Sequence, residues 1–76
     1  MNTEIHIGKM IHDKLEEQGR SVAWLAQELP CDRSNLYKTL KQYYIHTSTL
    51  WRISKILDYD FFEHYSASLR ESDKSK

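Results

Sequence analysis

The 76-residue sequence is poor in residues that interrupt or cross-link a chain, with one proline, two glycines and one cysteine. The single cysteine, Cys31, excludes an internal disulfide framework and fits a reducing compartment. No apolar run approaches the roughly 20 residues that span a bilayer. Glu4 and His6 interrupt any apolar stretch near the N-terminus, so a secretory signal is not expected either. We therefore expect one small cytoplasmic domain that does not contact a membrane.

The sequence also lacks the motifs that mark enzymes and cofactor-binding proteins. It contains no nucleophile motif and no glycine-rich phosphate loop, so we expect neither catalysis nor a small-molecule substrate or cofactor. No two histidines are three or four residues apart, and Cys31 has no cysteine partner, so a zinc site is not expected. The four histidines are His6, His12, His46 and His64.

Net charge is zero, but the charges are unevenly distributed along the chain. Residues 1–32 carry three cations against six acids, a net charge of −3, and residues 58–76 carry three against five, a net charge of −2. Residues 33–57, which we call the basic segment, carry five cations and no acid. These cations are Arg33, Lys38, Lys41, Arg52 and Lys55. A local excess of positive charge favours a negatively charged partner even when the total is zero.

Apolar residues recur at helical spacing in five segments, without a linker between them. The expected helices run from about Glu4 to Gln18, from Ser21 to Leu29, from Arg33 to about Gln42, from Thr47 or Ser48 to Asp58, and from Asp60 to about Leu69. Asn2 or Thr3 is a candidate cap for the first helix. The sequence thus predicts a compact all-α domain over residues 1–69 and a polar, frayed tail at residues 70–76.

The third predicted helix has two different faces. Pro30 disfavours helical geometry in the residue before it, and Asp32 is a natural N-cap for the helix that follows. At about 100° per residue, Leu36, Leu40 and Tyr43 share one face. The opposite face, which is polar and basic, carries Ser34, Tyr37, Lys38 and Lys41.

Taken together, these residues resemble the bacterial XRE, or phage-repressor-like, helix-turn-helix family. The matching residues are IGK at 7–9, Gly19, Ser21, LA at 25–26, Leu29, RSxL at 33–36 and LxxISKIL at 50–57. The resemblance implies a five-helix lambda-repressor-like fold and a transcriptional regulator whose helix Arg33–Lys41 enters the major groove of double-stranded DNA. Because one such helix gives modest affinity, we also expect a homodimer or a partner subunit.

Carried over by position, the resemblance implies a set of DNA-contacting residues. Base contacts would come from Arg33, Ser34, Tyr37 and Lys38. Contacts with the sugar-phosphate backbone would come from Ser21, Asn35 and Lys41.

Three positions depart from the family pattern. Val22 stands where many members have a glutamine that contacts DNA. Pro30 stands in place of the turn glycine, so left-handed geometry is not expected there. Leu15 and Leu40 stand where well-studied repressors have a buried arginine-glutamate bridge. Apolar replacement of both partners is often neutral or stabilising, so we predict that these two leucines touch.

A protein-interaction or antitoxin-like module is the alternative function for the same fold. Such a module would bind a protein through Trp24, Trp51 and the aromatic residues at 61–65. We expect Trp24 to be partly exposed and to pack against the C-terminal helix, near Phe61 or Tyr65.

Overall fold

Five α-helices and no strands make up the described part of the chain, which in the computed structural model is residues 4–74, with side chains for residues 4–71. The helices are α1 (Ile7–Glu17), α2 (Val22–Glu28), α3 (Arg33–Leu40), α4 (Thr47–Leu57) and α5 (Phe62–Lys74). The all-helical prediction is therefore confirmed.

Two helix boundaries differ from the sequence prediction. The first helix begins at Ile7 instead of Glu4, and its N-cap is His6, whose Nδ1 accepts a hydrogen bond from the Lys9 N–H at 3.1 Å. The predicted caps, Asn2 and Thr3, lie outside the described residues. The last helix does not end near Leu69 but continues to Lys74, since the segment after Leu69 contains neither glycine nor proline.

The C-terminal ends of α1 and α4 are closed by residues in the left-handed conformation. Gly19 has a φ of 71°, and the N–H of Arg20 donates to the Leu15 carbonyl at 2.8 Å. At the end of α4, Asp58 has a φ of 52°, and the following N–H reaches the Ser54 carbonyl at 3.0 Å. These are the backbone bonds of the Schellman motif, which satisfies the free carbonyls of a helix end.

The end of α2 uses the same motif at Pro30, which corrects our expectation. Pro30 has a positive φ of 23°, and the N–H of Cys31 donates to the Ala26 carbonyl at 3.0 Å. The prediction was wrong because it relied on the local preference of the proline ring, whose φ is normally near −65°.

The helices pack around one apolar core to which all five helices or their immediate flanks contribute. Helix α1 packs against α3, and α2 packs against both α3 and α4. The core residues are Ile7, Ile11, Leu15, Val22, Leu25, Ala26, Leu29, Leu36, Leu40, Leu50, Ile53, Leu57 and Phe61. Among the described residues, none that is polar or charged is buried as a whole, but the hydroxyl oxygen of half-buried Ser54 is inaccessible to solvent and has no hydrogen-bond partner. Leu15 and Leu40 belong to this core, and their direct contact stays a prediction.

Backbone contacts fix the start of α1 against the end of α3. The N–H of Ile7 donates to the Tyr43 carbonyl at 3.1 Å, and the N–H of Gly8 donates to the Gln42 carbonyl at 3.2 Å. A Cβ atom on Gly8 would overlap the Leu40 carbonyl oxygen and would lie 2.7 Å from that of Gln42. The two chain segments can therefore approach this closely only because residue 8 has no side chain.

None of the described helices combines the length and the apolar composition needed to cross a bilayer.

Candidate nucleic-acid interface

Helix α3 is attached to the core by one face and is capped at its start. Leu36 and Leu40 are 2% and 7% exposed, respectively. The Asp32 carboxylate accepts a hydrogen bond from the Ser34 N–H at 3.2 Å, as the sequence predicts. The orientation of α3 about its own axis follows from these contacts.

The other side of α3 is open to solvent and basic. All four residues predicted to contact bases are exposed, and Tyr37 keeps 50% of its surface accessible. Lys41, the C-cap residue of α3, is exposed as well. We call this surface the outer face of α3; it consists of Arg33, Ser34, Tyr37, Lys38 and Lys41. The exposure of Ser34, Tyr37, Lys38 and Lys41 confirms the expectation from helical spacing. The contacts of these residues and of Arg33 with DNA stay a prediction.

Tyr43, which we expected on the same face of the third helix as Leu36 and Leu40, lies outside this helix. Helix α3 ends at Leu40, so Tyr43 belongs to the connection to α4 and is 48% exposed. Its ring stacks against His6 with a centroid separation of 4.2 Å. The neighbouring Tyr44 is 62% exposed. The connection therefore presents two aromatic rings beside the end of α3.

Ser21, predicted to contact the DNA backbone, is exposed at the start of α2. Its hydroxyl oxygen accepts a hydrogen bond from the Trp24 N–H at 3.0 Å, so the side chain acts as the N-cap of the helix. The hydroxyl proton is not used by this bond and can still be donated to a phosphate oxygen.

Asn35 is exposed, and it lies on the side of α3 that is next to α4. It lines an open groove together with Thr49 and Arg52 of α4. Arg52 was counted in the basic segment without a functional role. Its place beside Asn35 makes it a further candidate for binding a negatively charged partner, and the signal for it was the absence of acids from residues 33–57.

The five cations of the basic segment are exposed and free of carboxylate partners within the described side chains. The one ion pair found among residues 4–71 joins Lys14 and Glu17, both on α1. Lys55 instead lies over the ring of Trp51, with its ammonium nitrogen 5.0 Å from the ring centroid. The positive charge of this segment is thus available to an external anion, because none of its cations forms an ion pair with a described carboxylate.

Two histidines act as helix N-caps, which the sequence analysis did not predict. His6 caps α1, and His46 caps α4 through an Nδ1 that accepts the Ser48 N–H at 3.2 Å. Histidine is not among the residue types that lead at this position. Both caps flank the α3–α4 connection, so they contribute to holding the end of α3 in place.

Most of the aromatic residues proposed for protein binding are covered. Phe61 is fully buried, so it cannot contact a partner, and Phe62 and Tyr65 are half-buried. Desolvation raises the pKa of the Tyr65 phenol above its ordinary value of 10.0, which keeps this side chain neutral. Trp24 is half-buried beneath the Arg20 guanidinium, which lies 4.1 Å from its ring centroid. Trp24, Phe62 and Tyr65 are partly buried and pack against the apolar core.

Trp51 is the exception, with 55% of its surface exposed. It lies on α4 beside Lys55, away from the outer face of α3.

Three potential metal ligands lie together on α1, although the sequence analysis expected no zinc site. The ligating atoms of His12, Asp13 and Glu16 are within 4.8 Å of one another, and all three side chains are exposed. The expectation rested on the absence of histidine and cysteine pairs, whereas this cluster combines one histidine with two carboxylates. Exposed groups of this kind are common on helices without a bound ion, and we assign no metal here.

No known family model, curated protein or solved structure matches this chain.

Proposed function

We propose that this protein is a DNA-binding transcriptional regulator of the XRE helix-turn-helix type, in which α2 and α3 form the helix pair and α3 enters the major groove. The observation that carries the proposal is the outer face of α3. Lys38, Lys41 and a half-exposed tyrosine lie on the side of the helix away from its buried leucines, and Arg33 is exposed in the first turn. The major groove of B-DNA is wide enough for an α-helix, and its phosphates flank such a helix on both sides.

The residues of this face have different roles in the proposal. Arg33, in the first turn of α3, reads a guanine through its two-pronged guanidinium, which is worth roughly 1–3 kcal/mol of discrimination. Ser34, Tyr37 and Lys38 complete the base-reading set. Lys41 lies at the end of the helix and binds phosphate, which sets register without reading sequence.

Ser21 and Asn35 complete the proposed contacts with the DNA backbone. Ser21 can donate its hydroxyl proton while its oxygen caps α2. Asn35 shares its groove with Arg52, so a phosphate bound there would meet both an amide and a cation. Because a single recognition helix binds modestly, we expect two copies on half-sites about 10 base pairs apart, or a partner subunit.

Selection from random DNA, followed by affinity measurements on the selected site, tests the proposed roles. Arg33→Ala and Lys38→Ala should change the preferred sequence, since they remove base contacts. Lys41→Ala should weaken all sequences alike, since it removes a phosphate contact. Arg70→Ala is the matched control, because Arg70 is an exposed cation on α5, outside the basic segment. If Arg70→Ala and Lys41→Ala weaken DNA binding equally, the proposed role of the outer face is wrong.

A salt titration tests the electrostatic part of the proposal. With four or five phosphate contacts per copy, the slope of log affinity against log salt should be roughly −4. The absence of a slope, or of binding to any DNA at low salt, would refute the proposal.

A protein-interaction module is the second candidate, and the exposure of Trp51 favours it. Val22, which replaces the glutamine of the family pattern and is buried, is consistent with it as well. Affinity capture from the source cell and selection on random DNA separate the two functions. A specific protein partner without any selected DNA site would favour the module.

A further inference from the structure

The connection between α3 and α4 presents two neighbouring aromatic rings to solvent. Tyr43 is 48% exposed, and Tyr44, at 62%, is the most exposed aromatic side chain among the described residues. Neither ring belongs to the apolar core or to the side chains that pack against it. Exposed rings of this kind supply flat, partly apolar surfaces that a binding partner can cover.

The first of these rings is held in place before any partner binds. The Tyr43 ring packs against the His6 imidazole with a centroid separation of 4.2 Å, and the Nδ1 of that imidazole accepts the Lys9 N–H at 3.1 Å. The Tyr43 carbonyl accepts the Ile7 N–H at 3.1 Å. The Tyr44 ring lies 6.5 Å further along, so the three rings form a row. A ring that is already fixed loses little conformational entropy when a partner covers it.

The surroundings of Tyr43 and Tyr44, which we call the tyrosine pair, are positively charged. The two chain segments that meet here, residues 4–9 and 38–46, carry three cations against one acid. These are Lys9, Lys38 and Lys41 against Glu4. All three lysines are exposed, and none forms an ion pair with a described carboxylate. This local charge favours a partner that carries negative charge beside a surface that can cover the rings.

Trp51 has a similar exposure but different surroundings. The grooves beside it are lined by carboxylates as well as cations, among them Glu28, Asp58 and Asp60. Its ring is also already covered in part by the Lys55 ammonium group. The combination of free rings with an excess of cations is therefore specific to the α3–α4 connection.

Single-stranded nucleic acids offer the groups that this connection can bind. In a duplex, the bases present only their edges in the grooves, because their flat faces are stacked on one another. An unpaired base exposes its faces, which stack on aromatic side chains while lysines meet the adjoining phosphates. The tyrosine pair thus suits unpaired bases better than it suits a regular duplex.

We propose that the tyrosine pair is a stacking site for unpaired bases of a single-stranded nucleic acid, and that Lys41 binds the adjoining phosphate. Because Tyr44 is the more exposed ring, it provides most of the stacking surface, and Tyr43 supports the next base. The inference goes beyond the proposed function, since stacking at the connection does not require α3 to enter a duplex. DNA and RNA strands share the base and the phosphate, and the sugar distinguishes them.

Fluorescence anisotropy of labelled strands of about ten nucleotides, titrated with the full chain at low salt, tests the site. The two strands to compare are oligodeoxyuridylate and a strand of equal length made only of abasic sites, which has the same phosphates. The chain should bind the oligodeoxyuridylate about tenfold more tightly, because only this strand offers bases that stack. Oligouridylate, its ribose counterpart, should also bind more tightly than the abasic strand, and the tighter of the two identifies the natural partner as DNA or RNA.

Variants of the exposed rings assign the binding to the connection. Tyr44→Ala should weaken binding of the oligodeoxyuridylate about tenfold and leave binding of the abasic strand unchanged. Tyr44→Phe should bind like the wild type, since the ring stacks and the hydroxyl group does not. Trp51→Ala is the matched control, because it removes a ring that is 55% exposed elsewhere, and it should change neither affinity. Circular dichroism of each variant checks that it remains folded.

Four results would overturn the inference. They are the absence of binding to any single strand at low salt, equal affinities for the oligodeoxyuridylate and the abasic strand, wild-type affinity in Tyr44→Ala, and equal losses in Tyr44→Ala and Trp51→Ala. Failure of this site can be told from failure of the proposed function, which is tested on duplex DNA with α3 variants. A chain that selects a duplex site but does not distinguish the two strands would refute only the stacking site. A chain that prefers the strand with bases but selects no duplex site would refute only the regulator.

Discussion

Replacing Gly8 with alanine should destabilise the protein strongly, although alanine is the better helix former. The added Cβ would overlap the carbonyl oxygen of Leu40 and crowd that of Gln42. These atoms are backbone, so they cannot move aside as a flexible side chain would. To make room, α1 must move away from α3, and the two backbone hydrogen bonds from Ile7 and Gly8 must lengthen.

Three contributions set the magnitude of this effect: two lower the stability and one raises it. Overpacking costs about 1–3 kcal/mol. Each weakened backbone bond costs up to about 0.5–1.5 kcal/mol. Alanine returns about 1 kcal/mol through its higher helix propensity. We therefore expect Gly8→Ala to lower the free energy of unfolding by about 2–4 kcal/mol, which for a domain of this size lowers the melting temperature by roughly 10–30 °C.

Urea and thermal unfolding, followed by far-UV circular dichroism, measure the change. Lys9→Ala is the nearest control, since Lys9 is exposed on the same helix and its removal should change stability by less than about 0.5 kcal/mol. Gly19→Ala separates crowding from backbone strain. Gly19 has a φ of 71° and no atom within 4 Å of an added Cβ, so its cost of about 1–2 kcal/mol is conformational alone.

A Gly8→Ala variant as stable as the wild type, or more stable, would refute this reasoning. Helix propensity alone predicts that outcome, so the sign of the change decides between the two accounts. If Gly8→Ala and Gly19→Ala cost the same, crowding against α3 would contribute nothing measurable.

Three further sets of substitutions test the helix ends and the core. Pro30→Gly should raise stability by about 1 kcal/mol, because glycine adopts the positive φ without strain and supplies an N–H to the Schellman motif; a lower urea midpoint would contradict this. His46→Ala should cost about 1 kcal/mol through the loss of the α4 cap, whereas His46→Asn should retain most of the stability; equal losses in thermal melts would exclude the cap. Leu15→Ala and Leu40→Ala should each cost about 2–5 kcal/mol, and a double-mutant cycle should give a coupling above about 0.5 kcal/mol; strictly additive losses would mean that the two side chains do not touch.

The helices and the two faces of α3 could be predicted because they follow from local periodicity. Leu36 and Leu40 are four residues apart, so one side of α3 faces the core, and the cations between and after them point outward. The extension of α5 beyond Leu69 was also predictable. The residues that follow have ordinary helix propensities, so the helix can continue beyond Leu69, and the fraying of the tail stays a prediction.

The remaining features depend on residues that are distant in sequence. His6 caps α1 while its ring stacks against Tyr43, a partner that no local pattern indicates. Asn35 and Arg52 meet only because α3 and α4 are brought together by the fold. Pro30 has a positive φ at the turn between α2 and α3, which the usual preference of the proline ring does not indicate.

The contacts that hold α3 are separate from the residues proposed to read DNA. The start of the helix is fixed by Asp32 and the turn at Pro30, and its end is fixed by backbone bonds from the first turn of α1. None of these contacts uses the side chain of Arg33 or Lys38. Substitutions on the outer face should therefore change DNA binding at nearly constant stability, because they remove no side chain that packs the helix. Gly8→Ala should lower stability strongly, although it removes none of the proposed DNA-contacting side chains, because it crowds the backbone where α1 meets the end of α3.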